Sequence, residues 1–187
     1  DLIPNEATVV MLTRDGYIKR VAPETFKTQS RGGKGVIGLT TKEEDTVEQL
    51  FATMTHADLL FFTTRGRIFQ LKAYDVPTAS RTAKGQAVVN FLQLGPEEKV
   101  SSVLSLAEIA EEKYLVMVTH QGTIKKVELN AFKDVRRSGL IAIKLKPEDR
   151  LEWVKPSSGK DDIIMASANG QSIRFAERAV RPMGRSA

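Results

Sequence analysis

A unit of about fifty residues occurs four times along this 187-residue chain, and this repeat constrains the fold more than any other feature. Each copy has a short apolar run, a two-residue turn that ends in glycine, a second apolar run and a basic segment. The turn glycines are Gly16, Gly66, Gly122 and Gly170, spaced 50, 56 and 48 residues apart. Glycine accepts the positive φ that tight hairpin turns need. Each unit therefore predicts a β-hairpin, and the spacing is that of a propeller blade.

An arginine lies fifteen residues after each turn glycine and fixes the register of the copies: Arg31, Arg81, Arg137 and Arg185. An extended apolar stretch, an acidic turn and another apolar stretch then follow. The apolar stretches lie at 36–39, 87–92 and 140–145, and at 47–52, 100–106 and 151–154. This order predicts one all-β domain, a propeller-like array of about three and a half four-stranded blades, near 6–55, 56–110, 111–159 and 160–187, the last truncated. A single short helical turn is expected at 107–112.

Charge is sorted by position within the repeat. The windows 14–35, 65–85, 121–141 and 169–187 hold 20 of the 28 Lys and Arg but only 6 of the 23 Asp and Glu. In a propeller-like array equivalent elements of successive blades lie around one rim, so these windows predict a continuous basic stripe. Such a stripe suits the backbone of duplex DNA, because it has no recognition helix and few aromatic side chains for stacking on bases. The alternative is that these side chains merely solvate exposed strands.

The most distinctive segment is 29–35, Gln-Ser-Arg-Gly-Gly-Lys-Gly. Its three glycines let the backbone approach a phosphate, while Arg31 and Lys34 supply positive charge. A P-loop would require Ser or Thr after the lysine, where Gly35 stands, and no βαβ pattern surrounds the GxGxxG spacing at 33–38. The segment therefore indicates phosphate contact or a tight loop, and not a nucleotide site.

Catalytic and metal chemistry are not indicated. The chain has no cysteine, and its two histidines, His56 and His120, have no clustered partner. The acidic turns at 43–45 and 148–149 lack the ligand spacing of a calcium loop and are interpreted as solvated turns. No apolar run is long enough to span a bilayer and no signal peptide is evident, so a cytoplasmic protein with no membrane partner is expected.

Segment 29–35 closely resembles the box that marks the C-terminal domain of DNA gyrase A subunits, Gln-Arg-Arg-Gly-Gly-Lys-Gly. Six of the seven positions match, and Ser30 replaces the first arginine. Segments 16–20, 65–68, 79–85, 122–126 and 180–185 also resemble this family, so the similarity covers nearly the whole chain.

The resemblance implies a β-pinwheel, in which neighbouring blades exchange a strand, with double-stranded DNA wrapped around the basic perimeter. It implies sequence-independent binding, bending and wrapping in support of ATP-dependent negative supercoiling by the gyrase holoenzyme, a type IIA topoisomerase and an isomerase. The implied partners are DNA, the N-terminal region of gyrase A and the gyrase B subunit, in the bacterial cytoplasm and on the chromosome. It also implies no catalytic centre and no cofactor on this chain, since ATP and magnesium act elsewhere in the holoenzyme.

The candidate DNA-binding residues are the box and the basic residues at equivalent places in the repeats. They are Gln29, Arg31, Gly32, Gly33, Lys34, Gly35, Lys19, Arg20, Arg65, Arg67, Arg81, Lys84, Lys125, Lys126, Arg136, Arg137, Arg174, Arg181 and Arg185. Two alternatives stay open. One is the corresponding C-terminal domain of topoisomerase IV, which acts in DNA binding and decatenation, and the other is a protein-binding propeller scaffold.

Overall fold

The computed structural model describes residues 2–26 and 45–187, which form β-strands joined by turns and short 3₁₀ segments. The strands are β1 Ala7–Thr13, β2 Tyr17–Val21, β3 Val47–Met54, β4 Asp58–Thr63, β5 Arg67–Lys72, β6 Gln86–Ala87, β7 Val100–Ser105, β8 Tyr114–Thr119, β9 Ile124–Glu128, β10 Leu140–Ile141, β11 Leu151–Ser157, β12 Asp162–Ala166 and β13 Ser172–Ala176. The 3₁₀ segments are Pro23–Thr25, Ala73–Asp75, Val88–Asn90, Leu129–Phe132 and Glu177–Ala179. The all-β fold expected from the repeat is confirmed.

Each repeat begins with an antiparallel hairpin: β1 with β2, β4 with β5, β8 with β9, and β12 with β13. The strand after the acidic turn then pairs with the first hairpin strand, so β3, β7 and β11 join β1, β4 and β8. Three of the first hairpin strands, β1, β4 and β8, are deeply buried, whereas β12 is mostly exposed; Leu59, Leu60, Phe61 and Phe62 of β4 are all 0% exposed. A strand packed on both faces reads as a continuous apolar run, which explains why these runs do not alternate with polar residues.

Neighbouring sheets exchange a strand. β6 follows the second hairpin but pairs with β2, and β10 follows the third hairpin but pairs with β5. The described sheets are therefore β3-β1-β2-β6, β10-β5-β4-β7, β11-β8-β9 and β12-β13. Two residues are enough to close each edge, so the long strands expected at 87–92 and 140–145 were wrong. After Ala87 the chain turns instead into a 3₁₀ segment that buries Val88, with Leu92 buried after it.

The four hairpin turns share a side-chain hydrogen bond that the repeat pattern alone does not predict. The turn glycines have φ of 85°, 74°, 84° and 81°, as expected. Each turn is longer than the expected two residues, because the glycine N–H donates to the carbonyl three residues earlier. The residue at that earlier position is Thr13, Thr63, Thr119 or Ser167, and its hydroxyl accepts the N–H of the residue after the glycine. A type I turn followed by a positive-φ glycine is a common hairpin connection of this kind.

Two residues of the acidic turns, Asp45 and Asp149, bind the hairpins, so for these two the interpretation as solvated turns was wrong. Glu148 is exposed, and residues 43–44 lie outside the described residues. Asp45 is 4% exposed and accepts the N–H of Asp15, and Asp149 accepts the N–H of Gln121 in the equivalent place. A carboxylate that accepts backbone N–H groups completes a turn that would otherwise leave them unpaired. The expected helical turn at 107–112 was also wrong, because 107–111 forms irregular turns.

The core lies between successive sheets. One buried cluster joins the first and second sheets through residues such as Val10, Ile18, Leu59 and Phe69. A second joins the second and third sheets, and its members are Leu60, Phe62, Ile68, Ile109, Leu115, Met117, Val127, Leu129, Phe132, Ala142, Ile143, Leu151 and Val154. The first three sheets therefore stabilise one another in succession, as in a repeat array.

Candidate nucleic-acid interface

Three basic loops occupy equivalent places on three successive sheets. They are residues 80–85, 136–139 and 184–187, and each contains the arginine fifteen residues after a turn glycine. The first two lead into the exchanged strands, and the residues that follow donate N–H bonds to the carbonyls of Gly16 and Gly66. The third lies against β9, where the N–H of Met183 donates to the carbonyl of Lys126. Each basic loop therefore lies on the sheet of the preceding repeat, the first two through strand exchange.

Several arginines in and beside these loops present free charge at the surface. Arg136, Arg137 and Arg181 are exposed, and Arg81 and Arg185 are half-buried. None of the five forms an ion pair within residues 2–26 and 45–187; Arg185 is close to the Ala131 carbonyl, at 3.5 Å. Guanidinium groups without a carboxylate partner are available for phosphate oxygens.

Lys84 and Arg65 contribute charge while making one contact to the protein. The Lys84 Nζ lies 3.6 Å from the centroid of the Tyr17 ring, a cation–π contact that fixes the lysine beside the second hairpin strand of the preceding repeat. Arg65 is exposed at its hairpin turn, and its guanidinium donates to the carbonyl of Pro96. Both charges remain near the surface.

Three lysines predicted to bind DNA are buried, and that prediction was wrong. Lys19 is 0% exposed, and Lys125 and Lys126 are each 3% exposed. The Lys126 Nζ donates to the Glu177 carbonyl, lies 3.7 Å from the Glu177 carboxylate and stacks on the Tyr114 ring. Burial alone would raise the pKa of Glu177, but hydrogen bonds from Asp161, Ser157 and Gly159, with the charge of Lys126, lower it. These groups join the third repeat to the fourth.

Lys19 and Lys125 both bind main-chain carbonyls of a basic loop. The Lys19 Nζ donates to the carbonyls of Ser80, Arg81 and Ala83 at 2.9, 2.6 and 2.9 Å. The Lys125 Nζ donates to those of Ala142, Arg185 and Ala187 at 3.1, 2.7 and 2.9 Å. Burial lowers the pKa of both lysines. The carbonyls around each Nζ favour the charged form, which is the form with three N–H donors. We call these two contacts the lysine junctions.

The second repeat has phenylalanine at the same position. Lys19, Phe69 and Lys125 each lie three residues after a turn glycine and pair with Met11, Phe61 and Met117 of the first hairpin strand. Phe69 packs against Gly139 of its basic loop, where a Cβ atom would lie 2.8 Å from the ring. Ala83 and Ala187 stand at the place of Gly139 in the other two loops. We call this contact the phenylalanine junction.

Arg67 is bound within the second repeat. Its guanidinium donates to both carboxylate oxygens of Glu98 at 2.6 and 3.0 Å, donates to the Gln93 carbonyl and lies 4.9 Å from the centroid of the Phe69 ring. Burial raises the pKa of Glu98, but hydrogen bonds from Arg67, the Thr63 hydroxyl and the Gly95 N–H outweigh it and lower the pKa to about 2. Arg67 therefore forms a structural ion pair, and its side chain remains 32% exposed. Glu98 was missed because nothing in the sequence places it beside Arg67.

Arg20 and Arg174 are also engaged. Arg20 is half-buried and its Nε donates to the Val76 carbonyl at 3.0 Å, which links the first repeat to the second. Arg174 is exposed, and its guanidinium pairs with Asp162 across the last hairpin at 2.5 Å. The box residues Gln29, Arg31, Gly32, Gly33, Lys34 and Gly35 lie outside the described residues.

Comparisons with known proteins agree with this architecture. The family model described as "DNA gyrase C-terminal domain, beta-propeller" matches residues 7–54, 57–107, 113–158 and 161–187. The chain belongs to this DNA gyrase C-terminal domain family. The DNA gyrase A protein of Clostridium acetobutylicum is 51% identical over 187 residues, which cover 100% of this chain and 22% of that protein. The chain thus spans about a fifth of the length of the curated relatives it matches.

Two solved structures of gyrase and topoisomerase C-terminal domains have the same fold. The crystal structure of the C-terminal domain of DNA topoisomerase IV has a TM-score of 0.82 at 25% identity, and covers 99% of this chain and 56% of that one. The structure of a DNA gyrase A C-terminal domain has a TM-score of 0.72 at 27% identity, and covers 97% of this chain and 58% of that one. The exchanged strands are those that the family resemblance implied.

No cluster of three or more metal-ligating side chains occurs in the part of the chain that the structure describes. Nor do those residues include a helix of the length and apolarity needed to cross a membrane.

Proposed function

We propose that this chain binds duplex DNA through its phosphates and bends it along the basic loops, as the wrapping domain of a gyrase A protein. The observation that supports this most strongly is the recurrence of exposed or half-exposed arginines at equivalent places on three successive sheets, with no ion pair to any residue that the structure describes. Arg81, Arg137 and Arg185 are the repeated members. A row of such contacts is required because smooth bending costs on the order of 1–6 kcal/mol per 20–30 base pairs.

In this proposal the principal contacts are the charged residues of the loops and the box. They are Arg31, Lys34, Arg81, Lys84, Arg136, Arg137, Arg181 and Arg185. The chain supplies no catalytic group and no cofactor; strand cleavage, ATP and magnesium belong to other parts of a cytoplasmic, chromosome-bound holoenzyme built with the gyrase A N-terminal region and gyrase B. Its contribution is to hold DNA for negative supercoiling.

Salt dependence tests the phosphate contacts. If roughly six to eight phosphates are neutralised, log K falls with log salt at a slope of about −5 to −7. Replacing Arg136 and Arg137 by alanine should reduce the slope by about 2. The matched control replaces Lys99 and Lys146, exposed lysines beside the acidic turns, which changes the net charge equally. Equal losses in both pairs would mean that only general charge attraction is at work.

DNA topology tests the wrap. The chain is bound to nicked circles, which are ligated, and the change in linking number is measured. Replacing Arg31 and Lys34 by alanine should reduce the trapped change more than it reduces affinity. An unchanged linking number in that double variant would show that the box is only a loop, and binding by the parent chain without a trapped change would favour the topoisomerase IV alternative.

A further inference from the structure

The two lysine junctions repeat one geometry. In each, the carbonyl nearest the buried Nζ belongs to the arginine fifteen residues after the turn glycine: Arg81 at 2.6 Å from Lys19 and Arg185 at 2.7 Å from Lys125. A second carbonyl, two residues further on, lies at 2.9 Å in both. The same arrangement has formed at two separate places in the chain, so the lysine is matched to the loop and not to one local sequence.

In each lysine junction, the main chain and the side chain of one arginine have different roles. The main-chain carbonyl is held by a buried ammonium, while the side chain of the same residue reaches the surface and forms no ion pair within the described ranges 2–26 and 45–187. Three carbonyls that converge on one point repel each other unless a donor satisfies them, and an ammonium provides three donors and a positive charge. Without it the loop has to turn those carbonyls elsewhere, which moves the arginine.

From this geometry we infer that Lys19 and Lys125 are positioning residues for DNA binding, which orient Arg81 and Arg185 by binding the carbonyls of their loops. This inference rests on the proposed function. Preorganised contacts bind more tightly because the cost of ordering the loop is met during folding and not on association. The lysines themselves touch no DNA, since they are buried.

A double-mutant cycle on DNA affinity tests this role in the 187-residue chain. Arg81→Ala should weaken binding about three- to tenfold, the size of one screened phosphate contact. Lys19→Met should weaken it by a similar factor. The double variant should bind no more weakly than either single variant, because the lysine acts only through Arg81.

Matched cycles separate positioning from general stabilisation. Lys19→Met combined with Arg185→Ala should be additive, whereas Lys125→Met should be non-additive with Arg185→Ala and additive with Arg81→Ala. A lysine that merely stabilised the fold would combine additively with both arginines, and that result would overturn the inference. Where Lys19→Met does not fold, Lys19→Gln, which keeps two N–H donors, and the Lys125 cycle give the same test.

The outcomes also separate this inference from the proposed function. Salt-insensitive binding by the parent chain would refute phosphate binding itself. Salt-dependent binding that Arg81→Ala weakens, but Lys19→Met and Lys125→Met leave unchanged, would refute the positioning role while the proposed function stands.

Discussion

The lysine junctions and the phenylalanine junction hold equivalent loops in different ways, the first by hydrogen bonds from an ammonium group and the second by an apolar contact. Lys19 and Lys125 bind carbonyls and face a loop with alanine, whereas Phe69 packs its ring on the bare backbone of Gly139. The phenylalanine junction also carries an ion pair, because Arg67 stacks on Phe69 and is held by Glu98. The exchanged strands therefore determine where the loops at 80–85 and 136–139 lie, while one residue of the second hairpin strand determines how each loop is held.

The largest loss of stability should come from placing a lysine at the phenylalanine junction. Phe69→Lys should lower the free energy of unfolding by about 3–5 kcal/mol, because it removes a buried ring and places an ammonium in an apolar cluster. Phe69→Leu, which keeps the apolar contact, should cost about 1 kcal/mol. Urea unfolding followed by circular dichroism measures both. If the lysine variant is as stable as the leucine variant, the two junctions are interchangeable and the comparison fails.

A methyl group on the loop side should disturb the same junction. Gly139→Ala places a Cβ 2.8 Å from the Phe69 ring at a φ of +83°. We therefore expect it to lower the free energy of unfolding by about 2–4 kcal/mol. Gly170→Ala is the control, because Gly170 has φ +81° and no atom within 4 Å of the added Cβ. Gly170→Ala should lower the free energy of unfolding only by the cost of placing an L-residue at positive φ, about 1–2 kcal/mol. Equal losses of stability in the two variants would show that the contact with the Phe69 ring does not contribute.

Acid should weaken the second repeat through Glu98. Its folded-state pKa of about 2 lies below the ordinary value of 4.5, so its stabilisation is complete above about pH 4.5 and is lost as the pH falls towards 2. The loss should be on the order of 2 kcal/mol after allowance for solvent screening. Unfolding curves between about pH 5.5 and 2.5 are compared for the parent chain and Glu98→Gln. Parallel pH profiles would show that Glu98 does not contribute.

The smallest effect should come from giving a lysine junction the glycine of the phenylalanine junction. Ala83→Gly leaves the carbonyl at position 83 available to Lys19 and should cost about 0.5–1 kcal/mol, mainly from the entropy of the unfolded chain. DNA affinity should stay within about twofold of the parent chain, an outcome measured by titration at fixed salt. A larger loss of affinity would mean that the alanine itself, and not the lysine, shapes the loop.

The hairpins and their order could be predicted from the sequence because they depend on local signals. Gly16, Gly66, Gly122 and Gly170 each adopt a positive φ, and the apolar runs beside them are long enough to be strands. The strand exchange followed only from the family resemblance, since the pairing of Ala87 with Tyr17 joins residues of different repeats. The hydroxyl that closes each turn was visible in the sequence three residues before each glycine, but its role depends on the backbone geometry of the turn.

Whether a charged side chain is buried or exposed could not be predicted from its residue type. Lys19 and Arg20 are neighbours in the same strand and look equally suited to a phosphate, but the loop carbonyls that bury Lys19 belong to the next repeat, at Ser80 and Arg81. Glu98 was not predicted to be buried, because its partner Arg67 lies 31 residues away in the sequence. In both cases burial depends on partners that only the tertiary structure brings together.

Strand exchange also sets the order of events as the chain is made. The edge of β2 stays open until Gln86 and Ala87 have been synthesised, and the edge of β5 stays open until Leu140 and Ile141 follow. A chain that leaves the ribosome at about 5–20 residues per second therefore completes each sheet several seconds after its own hairpin has appeared. Completion of each sheet therefore lags one repeat behind synthesis, and a pause within one repeat prolongs the time for which the edge of the preceding sheet is open to mispairing.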